Sequence, residues 1–74
     1  MTQTENLLVT VAEECAEIQQ AVSKALRFGL DNHHPNCPNT TNAEEINMEF
    51  YQLCAVINLL QVRGSLPTFN EAQK

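Results

Sequence analysis

Residues 43–63 read AEEINMEFYQLCAVINLLQVR, and their apolar side chains recur at alternating steps of three and four residues. This spacing predicts one face of an α-helix. The predicted apolar stripe consists of Ile46, Phe50, Leu53, Ile57 and Leu60. Further apolar side chains lie on other sides of the same helix, at Cys54, Val56, Leu59 and Val62. Since one neighbouring helix cannot cover so much apolar surface, the pattern predicts burial in a multi-helix bundle.

Residues 4–28 show the same periodicity. The predicted stripe of this first helix consists of Leu8, Val11, Cys15, Ile18, Val22 and Ala25. Thr4 is the expected N-cap of the first helix, and Asn42, with Glu45 completing a capping box, that of the second. Gly29 and Gly64 directly follow the two periodic segments, where helices favour a residue with positive φ. We therefore expect an all-α helical hairpin, with helices at about 4–28 and 43–63, a loop at 29–42 and a short tail at 64–74.

The small size of the chain indicates how this hairpin completes its core. A chain of 74 residues and 8.3 kDa forms one domain at most. Domains of this size bury only about 60% of the surface of the unfolded chain, so they usually need a disulfide framework, a metal or a partner subunit. We expect the hairpin to complete a four-helix bundle by self-association, as a homodimer or a homotetramer.

Charge and composition exclude several classes of protein. The chain has 4 basic and 9 acidic residues, for a net charge of −5, which argues against nucleic-acid binding and against a polybasic membrane anchor. No apolar run approaches the roughly 18 residues that a membrane span requires. With 3 cysteines, no C-x-x-C motif and no recognisable signal peptide, the expectation is a cytoplasmic protein with reduced thiols.

Acidic side chains border both predicted stripes. On the first helix Glu14 and Glu17 lie one turn apart beside the stripe, whereas Glu13 faces away. On the second helix the corresponding edge carries Glu45, Glu49 and Gln52. In an antiparallel hairpin these edges can meet, and clustered carboxylates repel one another unless a cation lies among them. Oxygen ligands of this kind suit Mg²⁺ or Mn²⁺.

The few basic residues lie close to this acidic edge. Lys24 follows Glu17 by one heptad, and Arg27 lies one turn further along. A divalent cation beside one or two basic side chains is the outline of a phosphate-binding site. We therefore expect Lys24 and Arg27 to contact a phosphorylated substrate, and water to attack a phosphorus atom.

The motif Glu13-Glu14-x-x-Glu17, followed after a loop by Glu49-x-x-Gln52, resembles the MazG-like all-α NTP pyrophosphohydrolases, whose signature is E-E-x-x-E and then E-x-x-D. The resemblance extends through residues 23–29 (SKALRFG) and 41–44 (TNAE), covers roughly residues 5–62, and is strongest to the short stand-alone branch found in phages and bacteria.

This resemblance implies hydrolysis of a nucleoside triphosphate to a monophosphate and pyrophosphate, with Mg²⁺ held by the motif carboxylates. It implies that Glu14, Glu17 and Glu49 are catalytic metal ligands, and that Lys24 and, less directly, Arg27 contact phosphate. It also implies assembly into dimers, or dimers of dimers, with four-helix units. Gln52 stands where the family has Asp. Its amide oxygen can bind a cation but carries no charge, and Glu45, one turn from Glu49, could compensate.

Three alternatives remain open at this stage. The same hairpin could be a catalytically inactive interaction protein that binds a partner helix. His33, His34 and Cys37 offer three zinc ligands, although zinc prefers four, or three and a water. Cys15 and Cys54 are expected to be small core residues. Phe28 and Tyr51 suit base stacking or packing.

Overall fold

Two α-helices make up most of the molecule, α1 from Gln3–Phe28 and α2 from Asn42–Val62. The computed structural model describes residues 1–33, 35 and 38–68. These residues contain no β-strand, and a single isolated antiparallel bridge joins His33 to Thr41. The helices pack against each other. The prediction of an all-α chain with two packed helices is therefore confirmed for the described residues.

Each helix begins at a threonine that forms a capping box. Thr2 precedes α1, and its hydroxyl accepts a hydrogen bond from the backbone N–H of Glu5, whose carboxylate accepts from the N–H of Thr2. Thr41 and Glu44 repeat this exchange at α2, over distances of 3.0 and 3.1 Å. These hydrogen bonds hold the pKa of both glutamates below the usual value. Two backbone N–H groups at each helix start are thereby satisfied.

The prediction of Thr4 and Asn42 as N-caps is wrong. In each case a threonine lies closer to the chain start with a glutamate three residues after it, and that pair closes the box instead. Asn42 serves another purpose, because its side chain is 3% exposed and its Nδ2 donates to the carbonyl of Gly29 at 2.9 Å. This bond ties the start of α2 to the end of α1.

The helix ends use glycine where the sequence predicts it. Gly29 follows α1 with φ +96°, and Gly64 follows the C-cap of α2 with φ +81°. Residues other than glycine rarely adopt such positive φ angles. The chain reverses direction between the two helices. Thr4 Oγ1 therefore lies 3.3 Å from Ser65 Oγ at one end of the hairpin, and Lys24 Nζ lies 2.8 Å from Glu45 Oε1 towards the other end. The two helices are therefore antiparallel.

The contact between the helices, which we call the seam, is centred differently from the predicted stripes. On α1 the seam consists of Leu7, Val11, Glu14, Ile18, Ala21 and Ala25, and on α2 of Ile46, Glu49, Leu53, Ile57 and Leu60. Several residues predicted to lie in the stripes are exposed in the hairpin, namely Leu8, Cys15, Val22 and Phe50. The prediction failed because each helix contributes a glutamate to the seam. A stripe chosen from apolar residues alone is therefore centred to one side of that glutamate.

The side chains displaced from the seam share one side of the hairpin, which we call the apolar face. It consists of Leu8, Cys15, Val22, Phe50 and Cys54. The helix turns by 100° per residue, and each of these side chains lies on the clockwise side of the seam when its helix is viewed from the N-terminus. Antiparallel packing brings the clockwise sides of the two helices to the same side of the hairpin. The helix positions on this flank carry no charge, whereas Glu17, Lys24 and Glu45 lie on the opposite flank. The hairpin therefore has one apolar and one acidic side.

Neither helix has an apolar stretch long enough to cross a bilayer, within the part of the chain that the structure describes. After α2, the backbone N–H groups of Ser65 and Leu66 both donate to the carbonyl of Leu60, so the start of the tail turns back and Leu66 is partly covered. From the sequence we also expect Phe69 to pack back on the bundle, and this residue belongs to residues 69–74, which lie outside the described part.

The capping box of α2 generates a stability prediction. Thr41→Ala should lower the free energy of unfolding by about 1 kcal/mol, because the N–H of Glu44 then loses its acceptor. Thr41→Ser keeps a hydroxyl and should unfold close to the parent. Urea denaturation at one fixed protein concentration measures both. Equal midpoints for the alanine and serine variants would show that the box contributes nothing.

Candidate metal centre

Three glutamates from the two helices bring their carboxylates together. Each of Glu14, Glu17 and Glu49 offers an oxygen atom, and these atoms all lie within 4.8 Å of one another. Glu14 and Glu17 are one turn apart on α1, and the antiparallel packing places Glu49 of α2 opposite them. We call this group the carboxylate cluster. The structure therefore brings together the three residues predicted as principal metal ligands.

Two members of the carboxylate cluster occupy positions that helix packing normally gives to apolar residues. Glu14 and Glu49 lie in the seam, and each is partly covered. One oxygen of each, Oε2, is inaccessible to solvent and accepts no hydrogen bond from any described residue. A buried polar atom without a partner costs free energy, and such atoms are few in folded proteins. When all three carboxylates are ionised, the arrangement therefore lacks a compensating cation or proton among the described residues.

The proximity of the carboxylates changes the acidity of Glu49. A hydrogen bond to Glu17, which requires that Glu49 keep its proton, raises the pKa of Glu49 from 4.5 to about 7. Burial and the negative charges of Glu17 and Glu14 act in the same direction. Near neutral pH the carboxylate cluster on its own therefore holds a proton for part of the time, and a cation that replaced the proton would relieve the same repulsion.

The donor set of the carboxylate cluster suits a hard divalent cation. It consists of carboxylate oxygens from three side chains, with no thiolate or imidazole among the cluster residues. Mg²⁺ and Mn²⁺ prefer such oxygen ligands, and Mg²⁺ usually keeps several waters and takes only a few carboxylates from the protein. The two unpartnered Oε2 atoms are the observation that fits a cation here.

Glu45 and Lys24 form a pair beside the carboxylate cluster. Lys24 Nζ donates to Glu45 Oε1 at 2.8 Å, and both side chains are about one-third exposed. Glu45, predicted as a supporting metal ligand, is thus paired with Lys24 and is not among the three clustered carboxylates. Lys24, predicted as a phosphate contact, lies two helical turns from Glu17 on the same flank of α1.

The other predicted site residues lie further out. The guanidinium of Arg27 lies over the Phe28 ring, 5.1 Å from its centroid. Gln52 is exposed and lines a surface cavity with Met48 and Tyr51.

The two cysteines of the helices lie in surroundings that differ from those expected from the sequence. Cys15 and Cys54 are free thiols that are exposed in the hairpin, so the prediction that they are core residues is wrong for the single chain. Both belong to the apolar face. Of the three zinc ligands that the loop offers as an alternative, only His33 is described. His34 and Cys37 lie outside the described residues.

A cavity at the end of the hairpin has no counterpart in the sequence interpretation. It has a volume of about 410 Å³ and lies where α1 ends and α2 begins. The described residues that line it, which define the loop cavity, are Lys24, Phe28, Asn32, His33, Pro35 and Asn42. The unusual density of Asn, His and Pro in the loop was the available signal, but spacing alone does not show that these side chains surround a space.

Comparison of the chain with protein-family models, with curated proteins and with solved structures finds no match. Interpretation of the site therefore depends on its own geometry and on the motif residues.

The raised pKa of Glu49 predicts a pH dependence of stability. In chelator, the free energy of unfolding should fall as pH rises from about 4.5 to about 7, because the folded chain holds a proton there that the unfolded chain releases at its ordinary pKa of 4.5. The bound proton stabilises the folded chain fully below pH 4.5, and this stabilisation is lost above about pH 7. Urea denaturation across this range measures it.

The variant Glu49→Gln isolates the effect, since it should remove this component of the slope and leave the titration of other groups. Glu13→Gln, on the same helix as two cluster members but outside the carboxylate cluster, should keep the parental slope. Parallel pH profiles for the parent and Glu49→Gln would contradict the assignment.

Proposed function

We propose that this protein is a Mg²⁺-dependent nucleoside triphosphate pyrophosphohydrolase, which converts a nucleoside triphosphate to a monophosphate and pyrophosphate. The observation that carries the proposal is the carboxylate cluster, with its two buried and unpartnered oxygens. Structural glutamates on a helix hairpin are usually solvated or paired, and carboxylates forced together in a seam need a compensating charge.

In this proposal Glu14, Glu17 and Glu49 hold the divalent cation, for which Mn²⁺ could substitute for Mg²⁺. When bound, the cation neutralises phosphate charge and increases the acidity of water. The residues of the chain fix its position, since Glu14 and Glu49 are held in the seam and Glu17 lies one turn from Glu14 on the rim. A site on two packed helices keeps its geometry better than one on a loop.

Lys24 and Arg27 are the basic side chains proposed to contact the substrate. Lys24 is on the flank of Glu17, and its Nζ is already oriented by Glu45 at 2.8 Å. A triphosphate that lies on the carboxylate cluster would extend towards this ammonium group, which would steady the phosphate nearest the sugar. Arg27, over the Phe28 ring, adds positive charge at the same end of α1.

Two further residues are proposed to support the cation. Glu45, one turn from Glu49 on α2, adds a carboxylate close to the carboxylate cluster and shares its charge with Lys24. Gln52 shares the flank of Glu45 and Glu49 on α2 and offers an amide oxygen, but no charge. The likeness of the Glu13–Glu17 and Glu49–Gln52 motifs to MazG-like enzymes supports the reaction type. The substitution at position 52 is the point at which this chain departs from them.

The functional unit is proposed to be a homo-oligomer in which hairpins pair into a four-helix bundle. Among the described residues, the only buried apolar side chains are Ala21, Ala25 and Leu60, which is a small core for a folded chain. The apolar face is uncharged and exposed, with Phe50 55% exposed. Covering it by a second copy would remove this surface from water and leave the acidic side open to substrate.

A second candidate function follows from the same apolar face. A hairpin that presents Leu8, Val22 and Phe50 to solvent could bind an amphipathic helix of another protein without any catalysis. The carboxylate cluster would then have no role. Turnover assays on variants of the carboxylate cluster decide between the two functions.

We predict that Glu17→Gln and Glu49→Gln each reduce release of pyrophosphate to background and leave the helical fold intact. Both changes remove a charged ligand and keep the size of the side chain. A coupled pyrophosphate assay over the common nucleoside triphosphates, with circular dichroism as a folding check, measures the effect. Glu13→Gln should retain parental turnover, because Glu13 is exposed and outside the carboxylate cluster. Parental activity in either cluster variant would refute the ligand assignment.

We also predict that the protein sediments at micromolar concentration as a dimer or tetramer of the 8.3 kDa chain. Phe50→Asp should shift it towards the monomer, because a charge on the apolar face would be buried without a partner in the oligomer. The neighbouring Tyr51 is 76% exposed and points about 100° away, so Tyr51→Asp should leave the mass unchanged. A well-folded parental monomer would contradict the proposal.

A further inference from the structure

We propose that the loop cavity binds the nucleobase of the substrate, with the base stacked on Phe28. This inference rests on the proposed function, since it places the base of the same nucleotide whose phosphates lie on the carboxylate cluster. It adds a binding site that neither the motif nor the carboxylate cluster assigns. The volume of about 410 Å³ is within the range of small-molecule sites.

The aromatic ring in the loop cavity is placed to stack. Phe28 is the last residue of α1, where the helix meets the loop, and its side chain is 56% exposed. The guanidinium of Arg27 lies over the ring, 5.1 Å from its centroid, so a stacked base would use the opposite face. Every nucleobase presents a flat π surface, so stacking is sequence-tolerant and contributes substantially to nucleotide binding.

Two asparagines supply hydrogen-bonding groups of fixed orientation. Asn42 Nδ2 donates to the carbonyl of Gly29 at 2.9 Å, which leaves its Oδ1 as an acceptor on a side chain that is 97% buried. Asn32 Oδ1 accepts from the N–H of His33 at 2.9 Å, which leaves its Nδ2 as a donor. A donor and an acceptor held beside an aromatic ring can pair with the polar edge of a base.

The charge of the loop cavity favours a base over a phosphate group. Lys24 is the one charged side chain among the described residues that line it, and Glu45 neutralises that charge at 2.8 Å. The remaining lining consists of an aromatic ring, a proline, amides and an imidazole. Apart from this one ammonium group, which in the proposed function contacts the phosphate nearest the sugar, the described lining offers a polyphosphate no positive charge, whereas an uncharged planar ring would lose little by leaving water.

The position of the loop cavity matches the length of a nucleotide. Glu17, Lys24 and Phe28 follow one another along a single flank of α1, at spacings of seven and four residues. At 1.5 Å per residue, Lys24 lies roughly 10 Å and Phe28 roughly 16 Å along the axis from Glu17. An extended nucleoside triphosphate, with its phosphate chain and sugar, spans a length of this order, so one nucleotide can reach from the carboxylate cluster to the loop cavity.

The test uses nucleosides without phosphates as probes. Adenosine, guanosine, cytidine, uridine and thymidine are titrated into ¹⁵N-labelled protein in chelator, so that the carboxylate cluster takes no part. We expect at least one nucleoside to bind and to shift the amide resonances of Phe28, Asn32 and Asn42. Phe28→Ala should weaken that binding by about tenfold. Phe28→Leu, which keeps apolar volume, should also weaken it and guards against a folding defect.

Tyr51→Ala is the matched control, since Tyr51 is an exposed helical aromatic that lines a different cavity. It should bind nucleosides as the parent does. Absence of nucleoside binding in the parent, or loss of binding in Tyr51→Ala with Phe28→Ala unaffected, would overturn the proposal.

Inorganic tripolyphosphate separates this inference from the proposed function. It has phosphates but no base, so Phe28→Ala should lower the rate on nucleoside triphosphates far more than the rate on tripolyphosphate. An equal loss on both substrates would show that the ring acts only through Arg27 and would refute the base site. If nucleosides do not bind but Glu17→Gln still abolishes hydrolysis, the base site is refuted and the enzyme stands. If nucleosides bind and no triphosphate is hydrolysed, the base site is supported and the enzyme is refuted.

Discussion

Placement of carboxylates inside a helix–helix seam is the constraint on which this structure depends. Glu14 and Glu49 lie where an ordinary hairpin would place leucine or alanine, and each has one oxygen that is hidden from water without a partner. Such an arrangement weakens a small domain unless a proton or a cation compensates it. Glu49, with its raised pKa, provides the first compensation by keeping a proton, and the proposed Mg²⁺ would provide the second. The stability of the hairpin and its proposed chemistry therefore depend on the same three side chains.

The same constraint divides the surface of the hairpin. Because the seam includes glutamates, apolar side chains such as Val22 and Phe50 are displaced to one flank, and Glu17 and Lys24 lie on the other. One flank is suited to burial by a second hairpin and the other to a charged ligand. Self-association would thus supply the apolar burial that the seam lacks, and leave the carboxylates open. A larger apolar seam would have stabilised the monomer, but it would have left no place for Glu14 and Glu49.

Much of this architecture could be predicted from the sequence, because helix periodicity and glycine at helix ends are local signals. The convergence of Glu14, Glu17 and Glu49 was also predictable, since it needs only the helical repeat and an antiparallel turn. The centre of each stripe was not, because an apolar pattern excludes the glutamates that the seam contains. The loop cavity was hidden as well, since it forms from loop and helix ends whose relative placement depends on long-range contacts such as the bond from Asn42 to the carbonyl of Gly29.

A Mg²⁺ titration followed by thermal melting at about pH 8 tests the central claim most directly. At this pH Glu49 has largely lost its proton, so the repulsion in the carboxylate cluster is greatest and a cation has most effect. A ligand that binds only the folded state raises its stability with the logarithm of the free ligand concentration above the dissociation constant. We expect the melting temperatures of the parent and of Glu13→Gln to rise in this way with Mg²⁺, and that of Glu49→Gln to stay unchanged. Equal melting temperatures for the parent with and without millimolar Mg²⁺ would contradict it.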